Sequence, residues 1–553
     1  MKHIFTVLGL FLSFTLFAQH QFVDVTSQYG IGGQDGLGHA VGWGDINNDG
    51  LQDVAFSNQE GTSFWLYKNN GDSFTNITSA AGLTGNSANM ILFVDITNDG
   101  WEDLVLYPRS GNQKIYINNT DETFSLMTNS GVNKTIRLAA DFNNDGWVDL
   151  MSTKNDQVTI FYNQNGESFT AEVVGTFTTN FAGLAFDYNQ DGRQDIYLGT
   201  YDDSPNALFK NNGDGTFTNV ASEAGVLYPY ASHGLTSGDY NNDGLIDLYI
   251  GSYSNSSACK LYQNKGDGTF EDVTSQMGVS GHHDTRTVSS VDYNNDGRMD
   301  LFASHHDFYT YSNSLLKNED AESFTEVGPS MGISGEWLGD YFGLGWADYD
   351  NDGDMDLFAA GHIDKYVLWE NRDCPGHFVE IILEGVESNF NAVGASVSLW
   401  QDGTLQKRWV QVGSGQHDSH SKRLHFGLGE SALVDSLKVD WPSGKQLVFN
   451  SNQVVVDDIW TIGEDINLNT TDVLSDFDIQ IQPNPAKEDI VISSSIDETA
   501  DIKIFNTQSQ LIWSQQAIEF NQRITLPAQL KAGVYFIAIK TSEHQKTMKF
   551  IKL

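Results

Sequence analysis

The chain has 553 residues, 39% of them hydrophobic and 12% aromatic, so it can build packed cores and is too long for a single domain. Its formal net charge is −43, from 73 acidic and 30 basic residues. This charge excludes nucleic acid and anionic membrane surfaces as partners, because both require a basic protein surface. So many acidic groups would also repel one another unless cations were bound among them.

The N-terminus predicts export. A short basic start, Met1 to His3, precedes an apolar run from Ile4 to Phe17, and residues 1–18 are therefore interpreted as a signal peptide. No later segment is apolar for long enough to predict a transmembrane helix. The two cysteines, Cys259 and Cys374, are too few for a disulfide scaffold, and a bridge between them is left open.

A nine-residue acidic loop, Asp-x-Asn/Asp-x-Asp-Gly-x-x-Asp with one departure, recurs seven times along the chain. It begins at Asp45, Asp95, Asp141, Asp187, Asp239, Asp292 and Asp348. Around each loop lie four short β-type runs separated by turn residues, which is typical of a propeller blade. The sequence therefore predicts an all-β chain with a seven-bladed β-propeller over residues 19–374. The run Phe22–Thr26 matches the last strand of a repeat and is expected to complete the seventh blade.

The loops have the spacing of a calcium site, with side-chain oxygens at positions 1, 3, 5 and 9 and a backbone carbonyl at position 7. Calcium takes six to eight oxygen ligands, and up to seven ions are expected. The predicted ligands are Asp45, Asn47, Asp49, Leu51 and Asp53; Asp95, Thr97, Asp99, Trp101 and Asp103; Asp141, Asn143, Asp145, Trp147 and Asp149; Asp187, Asn189, Asp191, Arg193 and Asp195; Asp239, Asn241, Asp243, Leu245 and Asp247; Asp292, Asn294, Asp296, Arg298 and Asp300; Asp348, Asp350, Asp352, Asp354 and Asp356.

Two other interpretations of the loops were weighed. An EF-hand is excluded, because position 12 is never a carboxylate and the flanking segments are strands. Asp/Asn turns that hold no metal are disfavoured, because the acid recurs at positions 1, 5 and 9 in all seven loops. Thr97 makes the second loop the weakest candidate, and the seventh loop is the richest in carboxylates.

The loops resemble the FG-GAP/VCBS repeats of integrin-α-like propellers over about residues 22–372. The next segment, with Ser388–Ala395, His425–Gly429 and Val439–Gly444, resembles the ASPIC/UnbV domain of cartilage-acidic-protein-like chains. This resemblance implies a small β domain over residues 375–460. Phe390 and Ser396 stand where that family usually has arginine, which puts any anion contact of those arginines in doubt.

The C-terminus is similar to the sorting domain of the type IX secretion system. The similarity lies in Ile481–Ala486, Leu530–Phe536 and the basic end at Lys546, Lys549 and Lys552. It implies a β-sandwich sorting domain over residues 477–553, the type IX machinery as a partner, and a location outside a Gram-negative cell or on its surface. Residues 461–476 are polar and are predicted to be a linker.

Chain topology places a second group of residues on the propeller face opposite the calcium loops. They come before the innermost strands or after the second strands, and are His39, His233, His283, His305, His306, Tyr309, Trp337, Tyr341 and His362. Histidines among aromatic side chains suit a glycan or protein ligand. A metal or catalytic centre and separate packing of each histidine are the alternatives. His417–His420 could also ligate a metal, but a solvated turn is favoured.

The leading functional hypothesis is a secreted or cell-surface calcium-stabilised binding or adhesion protein, expected to be monomeric. No nucleophile elbow, phosphate loop or dinucleotide motif is present, so catalysis is disfavoured but not excluded. The alternative is a secreted polysaccharide lyase or hydrolase with His283, His306 or Tyr309 as the base. A structural spacer with no ligand is a third hypothesis.

Overall fold

The computed structural model describes most of the chain from residue 21 onward. The described residues are 21–32, 38–58, 63–108, 113–177, 180–254, 257–280, 284–306, 312–334, 340–361, 366–415, 417–465, 479–482, 487, 489–494, 499–506, 511–527, 530–531, 533–540 and 545–552. The predicted signal peptide, residues 1–18, lies outside them. The chain divides into two compact units, Met1–Ile466 and Asn467–Leu553.

The repeats of the first unit form seven sheets of four strands each, one of which gains a fifth strand from a later segment. The strands are β1 (Gln21–Asp24), β2 (Gly38–Gly44), β3 (Asp53–Asn58), β4 (Phe64–Asn69), β5 (Phe74–Asn76), β6 (Met90–Val94), β7 (Asp103–Tyr107), β8 (Lys114–Asn118), β9 (Phe124–Leu126), β10 (Ile136–Ala140), β11 (Asp149–Ser152), β12 (Gln157–Asn163), β13 (Phe169–Thr176) and β14 (Asn180–Phe186). They continue with β15 (Asp195–Thr200), β16 (Ala207–Asn211), β17 (Phe217–Asn219), β18 (Ser232–Gly238), β19 (Asp247–Ser252), β20 (Lys260–Asn264), β21 (Phe270–Asp272), β22 (Thr285–Val291), β23 (Asp300–His305), β24 (Asn313–Glu319), β25 (Ser323–Glu326), β26 (Tyr341–Ala347), β27 (Asp356–Gly361) and β28 (Tyr366–Arg372). A single helical turn, α1 (Gly328–Met331), follows β25.

Each sheet is an antiparallel meander, and the seventh takes its fourth strand from the start of the chain. Strand β1 pairs with β28, with Gln21 opposite Arg372 and Asp24 opposite Trp369. The first strands of the sheets (the inner strands) contact one another in the cyclic order β2, β6, β10, β14, β18, β22, β26 and back to β2. The prediction of an all-β propeller is confirmed.

The inner strands are buried on both sides, because each sheet packs face to face against its neighbours. Every residue of β2 and of β26 is buried. Gly345 allows these two strands to approach closely, because a Cβ there would lie 2.6 Å from the Trp43 ring. The Trp43 indole N–H also donates a hydrogen bond to the Gly345 carbonyl at 2.8 Å. The glycines of β2 and β26 are thus required by the close packing of the inner strands.

An asparagine at the end of each third strand joins neighbouring repeats. Its side-chain amide donates a hydrogen bond to the carbonyl of loop position 2 in the preceding repeat. The seven pairs are Asn69–Tyr349, Asn118–Ile46, Asn163–Ile96, Asn211–Phe142, Asn264–Tyr188, Asn318–Tyr240 and Asn371–Tyr293. All seven asparagines are buried, so these bonds are shielded from water.

The segment after the repeats forms a small β domain of two sheets. Its strands are β29 (His377–Glu384), β30 (Ser396–Gln401), β31 (Thr404–Trp409), β32 (Asp418–Ser419), β33 (Leu424–Gly429), β34 (Ser436–Asp440), β35 (Gln446–Asn450) and β36 (Ile459–Gly463), with a 3-10 turn at Ser451–Gln453. The sheet orders are β33-β29-β36 and β31-β30-β34-β35. Strand β32 is separate, because it joins the propeller sheet of β2.

The predicted linker, residues 461–476, begins too early. Residues 461–463 belong to β36, which pairs in parallel with β29. Glu464 is fully buried and accepts hydrogen bonds from the backbone N–H groups of Val386, Glu387 and Ser388 at 2.7–2.8 Å. Polar composition suggested a linker here, but the polar side chain of Glu464 serves as an internal cap. Residues 466–478 lie outside the described part.

The second unit has a core of its own. Its strands are β37 (Ile479–Gln482), β38 (Asp489–Ser494), β39 (Thr499–Asn506), β40 (Leu511–Glu519), β41 (Arg523–Thr525), β42 (Gly533–Lys540) and β43 (Gln545–Lys552). They form the sheets β37-β38-β41 and β40-β39-β42-β43. Isoleucines from both sheets, including Ile490, Ile504 and Ile537, share one buried cluster. This two-sheet arrangement agrees with the predicted β-sandwich.

The structure also describes the two cysteines and the lengths of the helices. Cys259 and Cys374 are both free, so they form no disulfide with each other. Among the described residues, no helix is long and apolar enough to cross a membrane.

Candidate functional site

The seven acidic loops share one geometry, set by the carboxylate at position 1. In the first loop Asp45 accepts hydrogen bonds from the N–H of Asp49 at 3.1 Å and of Gly50 at 2.8 Å. The same pair of bonds recurs in all seven loops. Gly50 has φ +84°, a conformation that favours glycine. Each loop therefore curls around its first carboxylate.

The carboxylate at position 9 fastens the loop to the third strand. Asp53 accepts a hydrogen bond from the Asn69 N–H at 2.7 Å with one oxygen and from the Ile46 N–H at 3.0 Å with the other. It is fully buried, as is Asp103 in the second loop. Burial raises the pKa of Asp103 to about 8 and that of Asp45 to about 6. Carboxylates that are buried together in this way need a compensating positive charge.

The residues of the loops fit a hard divalent cation. In the seventh loop, oxygens of Asp348, Asp350 and Asp356 all lie within 4.8 Å of one another. Asp350 Oδ1 is buried and has no hydrogen-bond partner in the described part of the chain. An all-oxygen donor set with alternating spacing suits calcium better than magnesium, which requires a smaller octahedral shell. Thr97 differs from its counterparts: its hydroxyl faces Asp95 at 3.4 Å, whereas Asn47 donates to Asp49.

The loops lie side by side on one face of the propeller. In six of the seven loops the amide of position 4 donates to the carbonyl of the glycine in the next loop, as Asn48 does to Gly100 at 2.9 Å. Asn351 of the seventh loop donates in the same way to Gly50 of the first, at 3.1 Å. Six of the seven neighbouring loop pairs are therefore joined directly on this face.

The small β domain packs on this loop face. The Phe390 N–H donates to Asn98 at 3.0 Å, and Arg423 donates to Asn351 at 2.6 Å and to the Gly50 carbonyl. Arg423 is buried, with Nη1 3.4 Å from an oxygen of Glu380 in the same domain. Phe390, which replaces the usual family arginine, contacts the second loop near Gly100.

A segment of the small β domain, residues 411–422, reaches between the inner strands of the propeller. We call it the plug. It contacts all seven inner strands through the following pairs: His417–Val41, Lys422–Phe93, Val412–Ala139, Gly415–Gly183, Gln411–Ser237, Asp418–Thr287 and Asp418–Leu344. Residues 417–419 are buried, so the solvated turn expected for His417–His420 is not observed. The plug turns back near His417, whose ring contacts the carbonyl of Asn89.

The His417 ring contacts the group of residues that was predicted on the propeller face opposite the acidic loops. Its ring centroid lies 3.8 Å from that of His39, which stacks on Phe342 at 5.4 Å. Further along, His233 stacks on Tyr253 at 3.6 Å and on Tyr201 at 5.3 Å. These rings lie at the end of the inner strands that is remote from the acidic loops.

Arg286 lies between the rings around His39 and the rings around His233 and contacts both sets. Its guanidinium lies 4.8 Å from the Tyr253 ring centroid and 4.7 Å from that of Phe342. Its Nε donates to Asp340 at 2.9 Å, and the same carboxylate oxygen lies 2.8 Å from His306 Nδ1. We call the whole group the mouth cluster; it consists of His39, Tyr201, His233, Tyr253, Arg286, His306, Asp340, Phe342 and His417.

Burial determines the charge of the mouth cluster. Burial, with Arg286 nearby, holds the pKa of His233 well below its usual range, and burial beside His39 does the same for His417. Both rings are therefore neutral at pH 7. Tyr201 is the most open member, with 58% of its surface exposed.

Not every predicted residue joins the mouth cluster. His305 instead hydrogen-bonds within its own sheet, to Ser314 at 3.1 Å and Thr285 at 3.3 Å. Tyr341 is a core residue, edge-on to Trp369 at 5.4 Å. His283, Tyr309, Trp337 and His362 lie outside the described residues.

Sequence reasoning missed Arg286, Asp340 and Phe342. One signal was available for Arg286, because it interrupts an otherwise uncharged inner strand, Thr285–Val291. Asp340 and Phe342 carry no comparable pattern, since they stand at the start of an apolar inner strand, Tyr341–Ala347.

Comparison with known proteins identifies three kinds of segment. Residues 45–106, 141–198, 187–250 and 239–303 match the FG-GAP-like repeat, residues 385–468 match the ASPIC and UnbV family, and residues 480–553 match the secretion system C-terminal sorting domain. Cartilage acidic protein 1 of Xenopus tropicalis is 30% identical over 256 residues, and the Homo sapiens protein is 28% identical over 262 residues. These matches cover 44% and 45% of this chain but only 39% of each relative.

Among solved structures, an Agrocybe aegerita lectin described for specific recognition of non-reducing terminal N-acetylglucosamine matches with a TM-score of 0.38 and 19% identity, over 53% of this chain and 79% of the lectin. The chain thus contains FG-GAP-like repeats, an ASPIC and UnbV domain and a secretion-system sorting domain, and the last indicates a protein that is secreted or held on the outer cell surface.

Proposed function

We propose that this protein is a calcium-stabilised binding protein that recognises a glycan or protein ligand with its mouth cluster. The observation that carries the proposal is the stacked series Tyr201–His233–Tyr253, with Arg286 on its far side. Aromatic faces stack on sugars or on apolar side chains, and Arg286 offers directed hydrogen-bond donors. The exposed Tyr201 gives a ligand direct access to this series.

Calcium has a structural role in this proposal. Positions 1, 3, 5 and 9 of each loop, with the carbonyl at position 7, would hold the ion. When bound, the ion supplies the positive charge that the buried carboxylates lack. The loops lie under the small β domain and at the opposite end of the inner strands from the mouth cluster, so their contribution to binding is to fix the ring.

Direct binding assays test the proposal. A glycan array and a protein-capture screen should give a ligand for the purified protein, and Tyr201→Ala should reduce its affinity about tenfold, as expected for one lost stacking contact. Tyr162→Ala, at a half-buried tyrosine of an outer strand, is the matched control and should leave affinity unchanged. Failure to find any ligand, or equal effects of the two substitutions, would contradict the proposal.

A catalytic alternative has one specific observation in its favour. Asp340 lies 2.8 Å from His306 Nδ1, and a carboxylate in this position orients an imidazole as a general base. The alternative is a polysaccharide lyase or hydrolase on the same face. Release of reducing ends or of unsaturated sugar from an acidic polysaccharide, abolished by His306→Ala, would support catalysis. Turnover that survives this substitution would exclude His306 as the base.

A further inference from the structure

The small β domain presents a polar face toward the third and fourth acidic loops. Side chains alternate along β31, so Gln406 and Arg408 are buried while Lys407 and Trp409 point to the other side of the sheet. Across the sheet, Lys407 and Lys438 both lie opposite Ser398, one on each neighbouring strand. Two lysines are therefore neighbours on one face, separated by a small residue.

This face borders a cavity of about 420 Å³. On the domain side its walls include Lys407, Trp409, Lys438, Asp440 and Lys445. The facing wall comes from the third and fourth loops, with Asp141, Asp187, Gln190 and Gln194 among its residues. Asp141 and Asp187 each accept hydrogen bonds from the backbone of their own loops, and Asp440 is paired with Lys438, so none of these carboxylates is paired with Lys407 or Lys445. The size of the cavity suits one or two sugar units.

The lysines of the cavity are unusual in so acidic a chain. Lys438 pairs with Asp440 at 2.8 Å. Neither Lys407 nor Lys445 has a carboxylate within 4.0 Å in the described part of the chain. Lys407 is half-buried and lies 5.4 Å from the Trp409 ring centroid. A half-buried cation without a paired anion costs free energy, so an anion in the cavity would be stabilised.

We propose that this cavity, the lysine–tryptophan cleft, binds an acidic saccharide through its carboxylate. Lys407 and Lys445 pair with the carboxylate, the half-buried Trp409 offers a flat face for the pyranose ring, and Gln190 and Gln194 offer hydrogen bonds to hydroxyl groups. An acidic peptide would use the lysines but has no ring for Trp409. The site is separate from the mouth cluster and does not depend on the function proposed for it.

The test compares two tetrasaccharides that differ only in charge. β-1,4-linked tetraglucuronate and its carboxyl-reduced counterpart, cellotetraose, are titrated by calorimetry into the full chain with calcium present, together with a tetraglutamate peptide. Tetraglucuronate should bind at least about tenfold more tightly than either of the others, with an affinity that falls as salt rises.

Substitutions locate the site. Lys407→Met and Lys445→Met should each weaken tetraglucuronate binding about tenfold, whereas Lys265→Met, at an exposed propeller turn, should not. Lys445 is near the surface, so its substitution keeps the test valid even if Lys407→Met disturbs folding. Tyr201→Ala should leave this binding unchanged, which separates the cleft from the mouth cluster. The proposal would be overturned if tetraglucuronate did not bind, or if cellotetraose or the peptide bound equally well. It would also be overturned if neither lysine substitution changed the binding of tetraglucuronate.

Discussion

Asn69 of the first repeat donates a hydrogen bond at 2.7 Å to the carbonyl of Tyr349 in the seventh repeat, 280 residues away. The same side chain also donates to the Gln52 carbonyl and accepts from the Gly71 N–H. One buried amide thus joins the two ends of the repeat array, and six equivalent asparagines join the other neighbours.

Asn69→Ala should therefore destabilise the protein. The substitution leaves buried carbonyl groups without their donor, and each such loss costs about 1–3 kcal/mol. The adjacent exposed residue Asn70 bonds only within its own turn, so Asn70→Ala is the control. Chemical denaturation with calcium present should show a lower midpoint for Asn69→Ala alone, and equal midpoints would contradict the role of this residue.

Removal of calcium should lower the melting temperature by many degrees, because ions that bind only the folded state stabilise it. Metal analysis of the purified protein should find about five to seven calcium ions per chain, given the weaker second loop. Asp350→Asn should remove about one ion, while Asp72→Asn, in an exposed turn, should remove none. A count of zero or one in the unmodified protein would refute the calcium sites.

The plug should be essential for stability. Val412 is buried and its carbonyl accepts from the Ala139 N–H at 3.3 Å, so Val412→Asp places a charge between inner strands. The expected cost is at least about 2 kcal/mol. Val455 is half exposed, and Val455→Asp should have little effect on the midpoint of thermal unfolding. If both variants melt alike, the plug is not held between the inner strands.

Asp418 of the plug should make stability depend on pH. Burial raises the pKa of this carboxyl to about 8, above its value in the unfolded chain. Its stabilising contribution is then complete below pH of about 4 and is lost as the pH rises through about 8. Asp418→Asn keeps the shape but cannot ionise. Between about pH 5 and pH 9, the melting temperature of the unmodified protein should fall relative to that of the variant. Melting temperatures that change in parallel with pH would contradict the raised pKa of Asp418.

The repeats were predictable because the residues that shape each loop lie close together in the sequence. Asp45 and Gly50 act within one hairpin, and Asp53 joins that hairpin to the third strand through Asn69, so spacing alone indicates the strands and the turn and predicts the metal. The asparagine of each third strand was visible only as part of an Asn-rich turn. Its partner carbonyl lies in another repeat, and no local pattern reveals that.

The mouth cluster was predictable only in part. Topology predicted that His39, His233 and His306 share one face, and their side chains lie in one cluster in the structure, while their role in binding stays a prediction. Topology could not separate them from His305, whose ring turns into its own sheet. His417 was assigned to a surface turn because its neighbours are polar, whereas the plug buries those polar groups against backbone of the inner strands.

The plug also constrains the assembly of the protein. Strand β28 must be available before β1 can pair with it, and residues 411–422 follow β28 along the chain. If the seven repeats close into a ring first, the plug must enter between the inner strands afterwards. If the ring closes last, it must close around the plug. In either case the plug contacts all seven inner strands, so we expect the small β domain and the repeats to unfold together.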